Sequence, residues 1–386
     1  MHVHDFFCIS LFWSAESALP AAKFGTFDMG NDDKKITIKD VARLAGLSKG
    51  TVDRVVHNRG EVSEESKRRV LEVIQQIGYK PNIYASLLAS KKHYTLLCLI
   101  PRFRPGEYWE LVYTGIGRAV EKARSYNIGI DVISYDQFDR ESFRRAARQL
   151  LEGNPQAVML APIYRDDTLA LTAELAARGV PYVYIDSRLE GSGYLAYFGM
   201  PMYQSGYLAA SLLTEQPGIS EIANFRIDRG GAQPQDNPTR KRREGFMAYL
   251  AENLPECRVF EDFIRPYDPE YNLRVLDEFF EKHPRVRHIV TFNSRVHLIS
   301  EYLEKRGLGD RIVVGFDKLA GNLEGVRKGY VKYLITQRTE TQVYRGINAI
   351  IEHMVFHTAP AEQDNFMSMD ILTRYNVDYY SDIYEF

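Results

Sequence analysis

Residues 37–92 constrain the fold of this chain more than any other stretch, because they hold several helix start and stop signals within a short length. Thr37 stands three residues before Asp40, a capping-box pattern that starts a helix, and Gly46 ends that helix after a few turns at most. Ser48 is the N-cap of a second helix. Two helices joined by a turn of about 3–4 residues containing glycine are typical of a helix-turn-helix.

Apolar residues at helical spacing give this segment a small core. The second helix, predicted over 48–57, and a third, which begins at Ser63 and ends at Gly78, each carry one apolar face. The predicted core consists of Val41, Ala42, Ala45, Val52, Val55, Val56, Val70, Val73, Ile74 and Ile77. We therefore expect a compact, all-helical domain over residues 35–80.

The charge of the segment indicates its partner. Residues 37–92 contain eleven Lys and Arg and six Asp and Glu, a net charge of +5, whereas the whole chain carries −2. Positive charge concentrated on a small helical unit favours binding to a phosphate backbone. A solvated helix face is the usual role of a charged run, but the helix-turn-helix pattern favours DNA.

The segments IKDVARLAGLSKGTVDRVVHN, VS-x-x-S-K-x-R-V, GYKPN and ASLLAS resemble the headpiece of the LacI/GalR family of bacterial transcription regulators. The resemblance implies that a homodimer binds double-stranded, pseudo-palindromic operator DNA. It also implies that residues 81–92 are a hinge helix and linker, whose helix folds only on specific DNA and pairs with that of its dimer mate in the minor groove.

The residues expected to contact DNA come from the start of the first helix, from the second helix and from this hinge. Lys49 and Arg54 can donate hydrogen bonds to guanine edges, and Leu88 would wedge between base steps. The alternative role for Leu88 is a core or dimer-contact leucine. The full set is Thr37, Lys49, Gly50, Thr51, Arg54, His57, Asn82, Ala85 and Leu88.

Two positions on the second helix depart from the family pattern. Gly50 has no side chain where many relatives carry a long one, and Asp53 stands where they usually carry Ser. Asp53 can accept from a cytosine amino group or hold Lys49 and His57 one turn to either side. The second role is the one we expect.

From residue 95 onward, apolar runs alternate with helical patterns, which predicts βαβ units and parallel sheets. The predicted strands are 95–101, 129–134, 157–161 and 182–186, followed by a second set at 221–225, 258–264, 286–292 and 312–316. Two such sets, joined near 199–203 and 334–337, resemble the two-lobed periplasmic sugar-binding fold. The last helix, at about 339–356, would return the chain to the first lobe.

The predicted fold class is therefore α/β, with a small all-α helix-turn-helix domain followed by a periplasmic-binding-protein-like domain with parallel doubly wound sheets. We expect the effector-binding domain at 93–386. Its first lobe would span about 93–199 and 337–370, and its second lobe about 200–336.

Ligands of such sheets bind beyond the carboxyl ends of the strands. Asp186 ends a strand, while Arg242, Asn293 and Asp317 match the R-x-x-G-F, A-x-N-D and G-[FY]-D motifs of the family, although Ser294 replaces the Asp of the second motif. The predicted effector-binding set is Arg102, Tyr108, Trp109, Asp186, Arg242, Asn293 and Asp317. Carboxylates that accept hydroxyls and a guanidinium that donates a fork suit a small polyhydroxylated ligand, neutral or anionic.

Four of these assignments have a structural alternative. Asp186 or Asp317 could be a helix N-cap, Arg242 a surface charge and Trp109 a core residue.

Other features exclude several classes of function. The three cysteines have no zinc spacing, which favours a reduced, cytoplasmic chain, and no apolar run approaches the ~18 residues of a membrane span. His353 and His357 lack an acidic partner for a metal, and Gly115-Ile116-Gly117 lies inside a helical pattern rather than after a strand. With no GxSxG, HExxH or P-loop motif, we expect neither an enzyme nor a bound cofactor or metal.

Residues 1–34 fit no targeting signal. The apolar run at 6–13 is short and is preceded by Asp5 rather than by a basic residue, as a signal peptide requires. We expect residues 1–34 to be a disordered extension or a start-site artefact, with translation beginning at Met29 so that residues 1–28 are disordered or are an artefact of start-site choice.

Two functions follow from these observations. The first is a DNA-binding transcriptional regulator, a repressor whose operator affinity is controlled by a sugar or sugar derivative. The second is a sugar-binding or sugar-processing protein whose N-terminal domain has lost DNA binding.

Overall fold

The computed structural model describes residues 36–56, 60–79, 93–228 and 238–380. The chain divides into two compact units, one before and one after the Asn82–Ile83 bond. The predicted N-terminal extension, the hinge helix and the expected DNA contacts His57, Asn82, Ala85 and Leu88 lie outside the described residues.

The first unit contains three helices, α1 (Ile38–Ala45), α2 (Lys49–Val56) and α3 (Glu64–Ile77). The backbone N–H of Thr37 donates to the Asp40 carboxylate (2.9 Å). The hydroxyls of Ser48 and Ser63 accept from the N–H of the third residue of α2 and α3, at 3.1 and 3.3 Å. The glycines that follow α1 and α3 have φ angles of 65° and 62°, so the predicted start and stop signals are confirmed.

The core of this unit is the predicted one. Val41 and Val52 are fully buried, and all ten predicted apolar residues belong to a single cluster, which Ile38, Leu47 and Tyr79 complete. Helices this short are marginal alone in water, so this shared core is what holds them together.

The second unit consists of two α/β lobes. The elements of lobe 1 are, in order, β1 (Tyr94–Pro101), α4 (Tyr108–Ser125), β2 (Ile128–Tyr135), α5 (Arg140–Glu152), β3 (Ala157–Leu160), α6 (Arg165–Ala177), β4 (Tyr182–Ile185) and β5 (Ala196–Gly199). Lobe 2 continues with α7 (Met202–Leu213), β6 (Glu221–Ile227), α8 (Pro238–Asn253), β7 (Arg258–Ile264), α9 (Pro269–Lys282), β8 (His288–Val290), α10 (His297–Arg306), β9 (Ile312–Phe316), α11 (Ala320–Arg327) and β10 (Tyr333–Thr336).

The remaining elements return to both lobes. They are α12 (Thr339–Phe356), β11 (Asp364–Phe366), β12 (Asp370–Leu372) and a 3₁₀ turn at Val377–Tyr379. The first sheet has the order β11-β5-β4-β3-β1-β2 and is parallel throughout, and the second has the order β12-β10-β9-β8-β6-β7. In the second sheet β12 is antiparallel to β10.

The structure adds elements where the sequence predicted only connections. The strand β5 ends where the crossover near 199–203 was predicted and α7 follows it, while β10 occupies the region predicted as the crossover near 334–337. The buried face of α7 includes Ser205, Gly206, Ala209 and Ala210, and such small residues give little contrast between apolar and polar faces. The chain also crosses to the second lobe again between β11 and β12.

The helix α12 packs on lobe 1, as predicted. Val343, Ile347 and Ile350 are fully buried in the core of that lobe. Its close contact with α4 depends on Gly115, because a Cβ there would lie 2.8 Å from both the carbonyl oxygen of Glu340 and the Cβ of Val343. Gly115 thus serves helix packing. None of the described helices is long and apolar enough to span a bilayer.

The two glycines of α4 provide a matched test of this packing. Gly115→Ala should lower the free energy of unfolding by about 1–3 kcal/mol, because the added methyl overpacks the contact with α12. Gly117→Ala has nothing within 4 Å and should raise stability by up to about 1 kcal/mol through helix propensity. Urea unfolding followed by circular dichroism measures both, and equal stabilities for the two variants would contradict the packing described.

Candidate functional site

The first candidate site is the outer face of α2. Lys49, Gly50 and Arg54 are exposed, and Thr51 is half-buried. Gly50 leaves room for a side chain, since the nearest atom to an added Cβ is the Ser48 Oγ at 3.8 Å. The helix thus turns its valine face inward and presents two cations outward. Thr37 is also exposed at the start of α1.

The second candidate site is the cleft between the two lobes of the second unit. Its free volume is about 780 Å³, including space open to solvent. Its walls come from the carboxyl ends of strands in both sheets and from α8. The lining residues are Glu107, Tyr108, Trp109, Gln137, Phe138, Ile163, Asp186, Ile227, Thr239, Arg242, Asn293, Ser294, Arg295 and Asp317.

Six of the seven predicted effector residues line this cleft. The exception is Arg102, which is exposed and lies outside the lining. Trp109 is 6% exposed and belongs to the lobe 1 core as well as to the cleft wall. The amide of Asn293 is engaged within the protein, where it donates to the Phe225 carbonyl (3.3 Å) and accepts from the backbone N–H of Arg295 (2.9 Å).

A buried hydrogen-bonded chain links the two carboxylates across the lobes. The Tyr108 hydroxyl donates to Asp186 Oδ1 (2.7 Å) and accepts from Gln337 Nε2 (3.2 Å). The same Gln337 Nε2 donates to Asp317 Oδ1 (2.8 Å). Asp186 follows β4 of lobe 1, and Asp317 follows β9 of lobe 2. The chain of hydrogen bonds therefore spans the cleft at its base.

Both aspartates adopt a backbone conformation that is uncommon for residues with side chains. Asp186 has a φ of 64° and Asp317 a φ of 69°, and such conformations cost on the order of 1–3 kcal/mol each. Neither residue is a helix N-cap: no helix begins directly after Asp186, and the cap of α11 is Leu319. The backbone strain therefore lies at the two carboxylates that line the cleft.

Arg242 is held inside the cleft and is 3% exposed. Its Nη1 donates to the carbonyl oxygen of Phe292 (2.8 Å), and its Cζ lies 4.2 Å from the centre of the Phe316 ring. Its Nε has no hydrogen-bond partner within the described part of the chain. Buried N–H groups are nearly always paired, so this atom marks a position suited to a polar ligand atom.

Two glycines allow α8 to place Arg242. A Cβ on Gly245 would lie 1.9 Å from the Tyr203 carbonyl oxygen, and one on Gly206 would lie 1.7 Å from the carbonyl oxygen of Arg242 itself. The helices α7 and α8 therefore cross in backbone contact. In the R-x-x-G-F motif the arginine lines the cleft, Gly245 permits this crossing, and Phe246 is fully buried in lobe 2.

Burial dominates the ionisation of the cleft. It raises the pKa of Asp186 to about 6, although the Tyr108 hydrogen bond and the charge of Arg242 act in the opposite direction. Burial likewise raises the pKa of Asp317, against the effect of Arg242 and Gln337. Burial and the two nearby carboxylates raise the pKa of Tyr108 well above its usual value, so its hydroxyl stays a donor.

Several residues of the cleft were not predicted from the sequence. Gln137 and Phe138 follow β2, and Ile163 follows β3, so the strand-end rule applied to every strand would have found them. Gln337 could not be found in this way, because the sequence predicts a connection where β10 lies. Glu107 and Arg295 become cleft residues only because two separate loops meet.

Comparison with known proteins gives two family matches. Residues 37–82 match the model of the bacterial regulatory proteins of the lacI family, and residues 97–357 match a periplasmic binding protein domain. A protein from Bacteroides fragilis described as a LacI transcriptional regulator is similar over its whole solved chain, with 37% identity, a TM-score of 0.71 and coverage of 75% of this chain. The chain thus belongs to the LacI family of bacterial regulatory proteins.

Individual relatives match over shorter stretches. The regulator RegA of Clostridium saccharobutylicum is 32% identical over 48% of this chain and 54% of its own length. The sucrose operon repressor of Pediococcus pentosaceus is 30% identical over 56% of this chain and 61% of its own. The chain thus spans little more than half the length of these curated relatives. A carbohydrate solute-binding protein from Agrobacterium radiobacter, 16% identical over 74% of this chain and 96% of its own, has a TM-score of 0.61 and shares the fold.

Replacing Asp186 by Asn tests how burial affects the ionisation of this carboxyl. The folded protein holds the Asp186 proton more tightly than the unfolded chain, so this carboxyl makes stability fall as pH rises from about 4 to about 6. Asn cannot ionise and still accepts from Tyr108. We therefore compare the free energy of unfolding of Asp186→Asn with that of the unmodified protein. The difference, variant minus unmodified protein, should be about 3 kcal/mol larger at about pH 8 than at about pH 4.

Urea titrations of both proteins across this pH range measure the difference. Asp139→Asn is the control, since Asp139 is an exposed carboxyl on the N-cap of α5 whose pKa is lowered. The stability of Asp139→Asn relative to the unmodified protein should therefore become less favourable, not more, as the pH rises. A pH-independent difference for Asp186→Asn would show that folding does not raise the pKa of this carboxyl.

Proposed function

We propose that this protein is a DNA-binding transcriptional regulator, a repressor whose operator affinity is controlled by a small sugar or sugar derivative. The observation that carries the proposal is the combination, in one chain, of an exposed basic helix-turn-helix face and an enclosed cleft that holds Asp186, Asp317 and Arg242. Family membership supports both halves.

The proposed DNA contacts are those predicted from the sequence. Lys49 and Arg54 would donate to base edges or phosphates in the major groove, and Thr37, Gly50, Thr51 and His57 would lie against the same groove. Asn82, Ala85 and Leu88 would enter the minor groove from the hinge. The exposure of Lys49, Gly50 and Arg54 on one short helix supports this arrangement.

The proposed ligand site is the cleft. Carboxylates accept paired hydroxyls, and the Arg242 Nε is available to donate to a ring or hydroxyl oxygen. Among the relatives, one is a sucrose operon repressor, and the solute-binding protein of the same fold was solved with D-arabinose. Trp109 and Phe138 in the lining suit the apolar face of a sugar ring.

The proposed mechanism couples the two sites through a cytoplasmic homodimer. Two headpieces would bind half-sites about one helical turn apart. A ligand that prefers one arrangement of the lobes would change how well two hinge segments pair on DNA, and DNA would change ligand affinity by the same factor. No catalytic step is required of any cleft residue.

DNA binding is tested by gel shift with the promoter region of the chain's own gene. We expect specific binding that weakens steeply with salt as counterions are released. Arg54→Ala should reduce affinity. If Arg54 contacts a base, the loss should be about 1–3 kcal/mol; if it contacts a phosphate, the slope of log affinity against log salt concentration should be smaller by about 1. Arg178→Ala in the second unit is the control and should leave binding unchanged. No binding at low salt would favour a sugar-binding protein without operator recognition.

Ligand binding is tested by a thermal-shift screen of sugars and sugar acids. A ligand at about 100 times its dissociation constant should add about 2.7 kcal/mol of stability. Asp317→Asn should abolish the shift while the protein still folds, because Asn can keep its contact with Gln337 but loses the charged acceptor. Asp310→Asn, an exposed carboxylate of the same lobe, should keep the shift. A full response by Asp317→Asn would place the ligand elsewhere.

A further inference from the structure

A second interlobe cluster lies at the rim of the cleft, away from the buried aspartates. Glu107 precedes α4 in lobe 1, whereas Tyr267 and Arg295 lie in loops of lobe 2. The Arg295 Nη2 donates to Glu107 Oε1 (2.9 Å), and the Tyr267 hydroxyl donates to the same oxygen (2.7 Å). We call Glu107, Tyr267 and Arg295 the rim clasp.

The ion pair of the rim clasp is largely withdrawn from solvent, and Glu107 is held from both sides. The side chains of Arg295 and Glu107 are only 13% and 11% exposed. The second oxygen of Glu107 accepts from the backbone N–H of Arg104 (2.9 Å), and the Arg104 guanidinium lies 3.9 Å from the centre of the Tyr267 ring. Burial alone would raise the pKa of Glu107, but these hydrogen bonds from Tyr267, Arg104 and Arg295 keep it below its usual value.

The position of the clasp defines one mouth of the cleft. Glu107 and Arg295 line the cleft, while Tyr267 is 45% exposed and Arg104 is exposed. The cluster therefore forms the boundary between the cleft and solvent on this side. A ligand that extended past it would have to separate an ion pair that is both hydrogen-bonded and poorly hydrated, which is costly.

We propose that the rim clasp holds the lobes together over the ligand and limits the cleft to ligands about the size of one sugar ring. The size limit rests on the proposed function, whereas the clasp itself does not. Opening of the free protein and selection among ligands can therefore be measured separately.

Opening can be followed through Trp109, two residues from Glu107. The chain has two tryptophans, so Trp13→Phe in the full-length protein leaves Trp109 as the single emitter, and acrylamide quenching reports its exposure. Glu107→Gln and Arg295→Gln should each raise the open fraction about ten-fold, since a hydrogen bond to a charged group is worth that much. The double variant should open no more than the more open single variant, because either change alone breaks the pair.

The control is Glu174→Gln with Arg178→Gln, an ion pair at 2.8 Å at the C-terminal end of α6 within lobe 1. It should leave quenching unchanged. Circular dichroism checks that each variant is folded, and Tyr267→Phe, which removes a single hydroxyl, should give a smaller increase. Unchanged quenching in the Glu107 and Arg295 variants, or strictly additive effects in the double variant, would overturn the clasp.

Ligand size is tested by thermal shift with D-arabinose, D-glucose, sucrose and maltose. We expect monosaccharides alone to stabilise the unmodified protein and the disaccharides to gain a shift in the Glu107→Gln, Arg295→Gln variant. A disaccharide that stabilised both proteins equally would overturn the size limit. If no sugar of either size shifted any protein while quenching responded as described, the proposed ligand class would be wrong and the clasp would stand.

Discussion

The structure of the cleft depends on one interaction, the hydrogen-bonded chain Asp186–Tyr108–Gln337–Asp317. Two carboxylates are buried here, and a buried charge is tolerated only when it is paired or hydrogen-bonded. Tyr108 and Gln337 supply donors, and Arg242 supplies the nearby positive charge. Since the members come from both lobes and from the segment between β10 and α12, the same contacts that satisfy the acids also fix the lobes relative to each other.

This arrangement makes the cleft poor at stabilising the fold and suited to binding. Each aspartate sits in a strained backbone conformation, and the pKa of each is raised, so ionising them costs free energy. A ligand hydroxyl that donates to these oxygens would recover part of that cost. The Nε of Arg242, which has no partner among the residues that the structure describes, adds a donor in the same space. Strain and unsatisfied polarity at one place are typical of functional sites.

Much of this could be predicted from the sequence, because the signals are local. Helix caps, the spacing of valines in the headpiece and the alternation of strands and helices depend on neighbours in the chain, and they located α1 to α3 and most of the two sheets. The strand-end rule assigns Asp186 and Asp317 to the cleft from their positions after apolar runs. The family motifs added Arg242 and Asn293.

What could not be predicted depends on contacts between distant segments. Gln337 is 229 positions from Tyr108, and Glu107 is 188 from Arg295; no periodicity joins such pairs. The helix α7 was missed because most of its buried face is made of small residues, yet one of them, Gly206, lets α8 approach and place Arg242. Arg102 shows the opposite error: it lies in a loop of suitable composition, but its side chain faces solvent.

The two interlobe clusters differ in a way that matters for regulation. The hydrogen-bonded chain at the base of the cleft is buried, and its two carboxylates also line the cleft, so a ligand hydroxyl that donated to them would compete with Tyr108 and Gln337. The rim clasp needs no ligand to form, since its partners are protein side chains. A ligand shifts an equilibrium only by its differential affinity for the two states. If the clasp already favours closure, a weakly differential ligand suffices to complete it, and the strength of the clasp then sets how much ligand the proposed regulator needs to respond.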